Sequence, residues 1–312
     1  MPSDIVLSNG MYVNNAGSLP LQYLIDNKHV ISGIRSNLSK FYHHERIGSQ
    51  PINDKTVTIV MTSSNRSKQT YYTLQSIANS QYKNVQVVLV DDSVSDPIDA
   101  KHLETYPFGI DFVRILSDIK TWANPCVNYN IGFQFVEGGY VIIQNAEVFH
   151  VGDVISCCAL ILNNSVYCVF DVRQSAGYDT NELFYKSSTF DTSIYGNHSY
   201  FGNGHWYQSA EDNNRALHFL SGMSRSVFNK IGGFSYDYSL GDSYDDDDLI
   251  LKIHSLGIKI VSASHKLVNC GGIHLYHTLS SLAWAQTVPT NNLIYKEKLK
   301  YFSVTGKYLE LV

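Results

Sequence analysis

Apolar residues along the chain fall into short β-branched runs that alternate with stretches of helical period. Val57 to Met61 is the first run. The polar loop Thr62 to Ser67 follows, and Lys68 to about Ser80 offers Tyr72, Leu74 and Ile77 as the apolar face of a helix. Val85 to Val90 reads as a second buried strand that stops at Asp91-Asp92-Ser93, and Phe112 to Leu116 as a third. Asn124-Pro125 has the form of an N-cap followed by proline at the first helical position, which predicts a helix to about Val136. Tyr140 to Ile143 is the fourth strand, Val151 to Leu162 a helix and Val166 to Val172 another strand. Strands and helices alternating at these intervals predict an α/β fold with a Rossmann-like, mostly parallel central sheet and helices on both faces.

The pattern is weaker at both ends and in the middle. Residues 1–54 have no sustained period and contain the turn formers Asn14-Asn15 and Gly17. They are expected to form an N-terminal extension packed on the core, with a short helix around Leu21 to Asp26. Residues 55–285 are expected to be the main domain and 286–312 a helical tail, with Leu293 to Tyr301 as its helix. Arg173 to Asn214 is rich in Tyr, Asn, Ser and Gly without a clear period; a polar insertion this long suits a loop covering the sheet edge. Regular structure resumes at Ala216 to Leu220, with a short helix near Ser226 to Ile231. A helix opened by Asp245-Asp246-Asp247-Asp248 runs to about Ser255, and Ile258 to Ser262 is a strand.

Composition narrows the classes. An apolar content of 44% over 312 residues is enough for a sizeable core. A net charge of -5 with no long basic run argues against nucleic acid as a partner. The longest apolar run, Val154 to Leu162, is too short to span a bilayer. The N-terminus lacks a charged n-region and an apolar h-region, so no secretory signal is expected. Five cysteines without a CxxC pair fit reduced core thiols, which gives a cytoplasmic expectation. The sequons at Asn37, Asn65, Asn163 and Asn197 matter only in a secreted chain.

The chemistry gathers first at Tyr140 to His150, YVIIQNAEVFH, where a strand runs into Asn145, Glu147 and His150. A buried strand ending in ligands places them at the carboxyl edge of a sheet, where open α/β folds bind small molecules. A strand followed by a polar turn is the plain alternative. The four aspartates at 245–248 are favoured by the helix dipole, yet they exceed what capping needs.

Five segments, TIVMTSSNR (58–66), VVLVDDSVSD (87–96), NPCVNYNIG (124–132), QNAEVFHVGDV (144–154) and GGFSYDYSLGDSYDDDDL (232–249), together resemble the family 2-like glycosyltransferases of the GT-A fold. The resemblance implies transfer of a sugar from a nucleotide-diphosphate donor, expected to be UDP-linked, to a hydroxyl on a glycan or other acceptor. It implies a hexosyl- or N-acetylhexosaminyltransferase that works with inversion. The family's nucleotide positions correspond to Ser63, Asn65, Arg66, Asp91 and Asp92, with Asn128 and Gly132 beside the donor sugar, although a helix-packing role suits those two as well. The family's DxD motif corresponds to Asn145-Ala146-Glu147. Glu147 is then the ligand of Mn²⁺ or Mg²⁺, and Asn145 replaces the first acid. His274 and His277 stand where relatives place a further ligand, with His277 preferred. Aligning YDDDDL with the family's EDDDL makes Asp246 the catalytic base and Asp245 the acceptor-facing acid, leaving Asp247 and Asp248 to point to solvent or stabilise the helix start.

Three rivals follow from the same residues. A non-catalytic nucleotide-sugar or glycan-binding module is favoured by Asn145. A sugar nucleotidyltransferase needs a Gly-rich phosphate loop, which TSSNRS lacks. A zinc hydrolase would use His150, His274 and His277, without the support of an HExxH motif.

Overall fold

The computed structural model describes residues 5–6, 12–13, 19–161, 165–187, 190–202, 204–278 and 281–312, with side chains for those among them from 22 to 278 and from 288 to 312. Asn14-Asn15, Gly17, Leu162 and Asn163 lie outside the described residues.

Beside a short hairpin of Ile5–Val6 and Tyr12–Val13, two sheets are built from β1 (Tyr42–Ile47), β2 (Val57–Ser63), β3 (Val85–Asp91), β4 (Gly109–Ile115), β5 (Tyr140–Asn145), β6 (Val148–Val151), β7 (Val166–Phe170), β8 (Val172–Gln174), β9 (Trp206–Gln208), β10 (Leu220–Ser224), β11 (Lys259–Ala263) and β12 (Gly271–His274). The large sheet has the order β11-β7-β10-β5-β2-β3-β4-β1. Only β10 and the edge strand β1 run against the rest. The small sheet has the order β9-β8-β12-β6. Its helical partners, and those of the large sheet, include α1 (Leu19–Ser36), α2 (Ser67–Ala78), α3 (Pro125–Gly132), α4 (Val154–Ile161), α5 (Tyr178–Lys186), α6 (Arg225–Ile231), α7 (Asp245–Ser255) and α8 (Ser281–Thr305).

Alternation along the central strands sends side chains to two cores. Val60, Val88 and Val90 pack with α1, α3, α6, α7 and α8, whereas Ile59, Met61, Val87 and Leu89 pack with α2 and α4. The predicted mostly parallel sheet with helices on both faces is therefore present. Asn124 caps α3 by accepting the Cys126 N–H at 2.9 Å, with Pro125 at the first turn as expected. Gly132, at the other end of α3, faces β2 and β3 so closely that a Cβ would lie 2.9 Å from Val90 Cγ2. Packing of helix on sheet thus explains that glycine.

Three differences from expectation bear on the site. First, residues 42–47 lie inside the expected extension, yet they pair with β4, and Arg46 and His44 both contact the buried Asp111, at 3.1 and 3.0 Å. The helix expected over Leu21 to Asp26 is α1, 18 residues long. Second, two stretches are divided between the sheets. Val166 to Val172 breaks at Asp171, whose carboxylate accepts the N–H groups of Ala210 and His265 at 2.8 and 2.9 Å. Tyr140 to Val151 breaks at Ala146-Glu147, so the start of the expected Val151 helix is the end of strand β6. Third, residues 173–214 supply most of β8, with β9 and α5, and the regular structure expected to resume at Ala216 to Leu220 resumes as β10 at Leu220–Ser224. Among the described residues no helix is long and apolar enough to cross a membrane.

Candidate active site

Strands β2, β3 and β5 end side by side: Ser63 pairs with Asp91 and Thr62 with Asn145. Their following loops share one edge. Ser63 is buried and its Oγ meets Thr70 Oγ1 at 2.9 Å. Asn65, at φ 55°, uses its Oδ1 to accept the backbone N–H groups of Val94, Ser95 and Asp96, clipping the loop after β2 to the loop after β3. Asp91 is fully buried; its carboxylate accepts N–H groups from Ser93 and Ile98 at 3.1 and 2.9 Å and pairs with Arg114 at 2.5 Å. Ser63, Asn65 and Asp91, expected as nucleotide contacts, thus stand at this edge with internal partners for their side chains. Asp92 turns the other way, where Lys120 and the Asn128 amide (2.9 Å) bind its carboxylate, and Trp122 Nε1 donates to Asn128 at 2.8 Å.

Glu147 sits at the junction between the two sheets. Strand β6 leaves it to pair antiparallel with β12, register Val148 to His274, and the Leu275 N–H donates to the Glu147 carbonyl at 2.8 Å. That pairing delivers two distant histidines. His274 Nε2 and His277 Nε2 lie 3.3 and 3.5 Å from Glu147 Oε1, and Arg66 Nη1 donates to the same oxygen at 2.5 Å. Burial opposes charge on Glu147, but the Arg66 guanidinium and the two imidazoles hold its carboxyl well below the usual range. The His274 ring stacks on Tyr207 of β9, centroids 4.4 Å apart.

Glu147, His274 and His277 each present one ligand atom, all within 4.8 Å of one another. Among the described residues Glu147 Oε2 and His274 Nδ1 are buried without a hydrogen-bond partner. One carboxylate and two imidazoles fit a borderline cation such as Mn²⁺ better than Mg²⁺, which prefers oxygen donors. Asn145 is not in this group: its Oδ1 accepts from Tyr129 OH at 3.3 Å. Neither is His150, which is buried against Gln144 Oε1 at 2.8 Å and pushed down to about 4 by burial. The His150-His274-His277 set of a zinc hydrolase is therefore not assembled.

The acidic turn is set by α7 and the strained residues before it. Ser243 and Tyr244 have φ of 66° and 67°, in the left-handed region that a bulky side chain rarely adopts. Asp245 is buried and accepts from Asn124 Nδ2 at 3.2 Å. Burial and then the neighbouring Asp246 charge push its carboxyl far up. Asp246 is half-buried and raised to about 6, by burial and by Asp247. Asp247 faces outward and pairs with Arg215 at 2.9 Å. Asp248, in the first turn of α7, does not face solvent: it is buried, with Tyr238 OH donating at 3.1 Å and Tyr308 OH also bound.

One open cleft of about 270 Å³ joins these parts. It is lined by Arg66, Asn145 and Glu147 from the strand edge, by Asp242, Asp245 and Asp246 from the start of α7 and the turn before it, by Tyr129 of α3 and by His218. His218 was not singled out in the sequence. It immediately precedes Phe219 and β10, whose Leu220 pairs with Gln144 beside Asn145, and that position next to a strand at the edge is the signal it carries. Its Nδ1 is buried without a partner, and burial pushes its pKa down to about 4.

The fold has solved counterparts. The crystal structure of S. aureus TarS matches with a TM-score of 0.51 at 14% identity, covering 71% of this chain and 37% of that one. TarS 1–349 in complex with UDP-GlcNAc matches with 0.51 at 13% identity (72% and 60% covered). The same segment in complex with UDP matches with 0.50 at 14% identity (80% and 72% covered). The chain thus spans well under half of the whole TarS chain, and the likeness is one of fold. No curated protein matches the chain. The sequence model described as Glycosyl transferase family 2 covers residues 58–232, more than half of the chain, from the first strand of the parallel core to the glycine after α6. That span contains the edge loops and Glu147, and the chain belongs to glycosyl transferase family 2.

Proposed function

We infer that this glycosyltransferase moves a sugar from a UDP-linked donor to a hydroxyl acceptor with inversion, using Asp246 as general base. One observation carries the reading: the cleft that holds Glu147 also holds Asp245 and Asp246, so a leaving group and an attacking hydroxyl would each find a carboxylate in a single volume. The UDP and UDP-GlcNAc bound by the TarS segment support a uridine donor.

Ser63, Asn65, Asp91, Asp92 and Asn128 at the strand edge, with Arg66 and Asn145, are the nucleotide contacts on this reading. Asp92 and Asn128 offer acceptor and donor groups at the edge, and the Asn145 amide serves where a first acid would add charge. Glu147, His274 and His277 would hold Mn²⁺, which when bound neutralises the departing diphosphate. Asp246 takes the proton from the acceptor hydroxyl. Its raised pKa keeps it matched to that proton, and Asp245, protonated more readily still, donates a hydrogen bond to the acceptor rather than repelling it. Protonated Asp246 releases the proton to solvent through the open cleft. The hexosyl or N-acetylhexosaminyl identity of the sugar falls to the side chains nearest its ring, among which His218 and Tyr129 line the cleft.

The test is transfer from a panel of UDP-sugars with Mn²⁺, read as acceptor product and released UDP. Asp246→Asn should lower transfer by about 10²–10⁴-fold while leaving UDP affinity nearly unchanged. Residual transfer near the wild-type rate would remove Asp246 as base. UDP binding by the wild type without turnover on any acceptor would return the chain to the binding-module reading.

A further inference from the structure

Among the described residues four carboxyl groups line the cleft, on Glu147, Asp242, Asp245 and Asp246, against one permanently charged basic side chain, Arg66. A nucleotide diphosphate is itself an anion, so Arg66 is the group that electrostatics would assign to it. Yet its Nη1 is bound to Glu147 Oε1 at 2.5 Å, the same oxygen that faces His274 Nε2 and His277 Nε2. We propose that Arg66 is an internal counter-ion to Glu147 that transfers to the diphosphate of an arriving nucleotide, so that cation and nucleotide bind as a coupled pair. The inference rests on the reading of the cleft given above.

Two observations and the chemistry of the groups lead there. The carboxylate of Glu147 is 2% exposed, and a buried carboxylate left without a partner is strongly disfavoured, so something must neutralise it when no cation is bound. Arg66 does this from the start of α2, with its side chain 30% exposed, which leaves the guanidinium a route back into the cleft. A guanidinium and a divalent cation at one carboxylate oxygen repel each other at close range, so the two compete for Glu147. A planar guanidinium also matches phosphate oxygens in a two-pronged hydrogen bond, which gives it a second anion to move to. Without nucleotide the cation must displace Arg66 unaided. With nucleotide the displaced guanidinium is rehoused, and by linkage each ligand strengthens the other by the same factor.

Mn²⁺ binding to the full chain, followed by the paramagnetic resonance of free Mn²⁺ with and without UDP, tests this. Wild type should bind Mn²⁺ weakly alone and more tightly with UDP. Arg66→Met should bind Mn²⁺ alone at least about tenfold more tightly than wild type, with a smaller gain on adding UDP, while Arg66→Lys should stay close to wild type. Arg66→Gln keeps a donor to Glu147 without its charge. It gives the same readout should the Met variant fail to show a cooperative melt. Unchanged or weaker Mn²⁺ binding in both neutral variants, with binding lost in Glu147→Gln, would overturn the counter-ion role and leave the cation site standing. Mn²⁺ binding that survives Glu147→Gln, or none in any form even with UDP, would overturn the cation site and the counter-ion role together.

Discussion

Asp245 and Asp246 adjoin in sequence but differ in surroundings, and the difference gives each a distinct pH signature. Both carboxyls are raised by burial and by a neighbouring aspartate, Asp246 to about 6 and Asp245 further. A base must be ionised to work, so transfer by the wild type should fall as pH drops through about 6; a rate flat from pH 5 to 8 would exclude Asp246 as the titrating base. The stability effect has the opposite sense. A carboxyl whose folded pKa lies above its unfolded value binds its proton more tightly when folded, so its favourable contribution is complete at low pH and is lost as pH rises through the folded pKa. Asp245→Asn removes the need to bury a charge while keeping an oxygen for the Asn124 amide at 3.2 Å. The variant should melt a few degrees above wild type at pH 8.5 and close to it at pH 5, as calorimetry at the two pH values would show.

At the scale of elements, the segment entering α7 is held in a costly shape by one side chain from α8. Two consecutive left-handed residues, Ser243 and Tyr244, cost about 1–3 kcal/mol each. The Asn291 amide, buried at 1% exposure, donates to the carbonyls of Tyr238, Asp242 and Ser243 at 3.3, 3.1 and 3.0 Å and so fixes the turn that aims the aspartates. Asn291→Ala should destabilise the fold by about 1–3 kcal/mol and lower kcat up to about 10²-fold with a much smaller change in donor KM. An equal change in both constants would mean that the tether does not position the base. The parallel strands and the helices around them were legible because their apolar runs and caps are local: VTIVM, VQVVLV and NP each state their element within a few residues. Strand β1 was not, because YHHERI pairs at an edge and buries little, its register fixed by Asp111 on a strand far along the chain. The candidate site was legible as a set of acids, since Glu147, Asp245 and Asp246 meet in one cleft. What the sequence concealed was where side chains turn: Asp91 and Ser63 inward, Asp248 into a buried cluster, and Arg66 onto Glu147, each decided by partners from other segments.

The whole molecule is tied to its active helix through a buried charge cluster. Lys298, fully buried in α8, contacts Asp237 at 2.7 Å and Asp248 at 3.4 Å, and Asp237 also accepts the backbone N–H groups of Leu311 and Val312 at 2.9 Å. The last residues and α8 are thereby joined to α7. Removing the single cation would leave two buried carboxylates facing each other, so Lys298→Met should destabilise the chain by about 3–5 kcal/mol in denaturant titration. A loss below about 1 kcal/mol would mean that the cluster relaxes to water.

The junction at Glu147 has a further consequence, in the time taken to assemble it. The pairing of β6 with β12 joins residues about 120 positions apart, a non-local closure, and closures of long reach are slow in folding. The histidines meet Glu147 only once that register is correct, since a slip by one residue turns His274 to the opposite face. Capacity for Mn²⁺ should then return with the slowest refolding phase, after the far-ultraviolet helix signal has recovered. The cation site would serve as a clock for completed topology, and simultaneous recovery of both signals would show that the small sheet forms with the core.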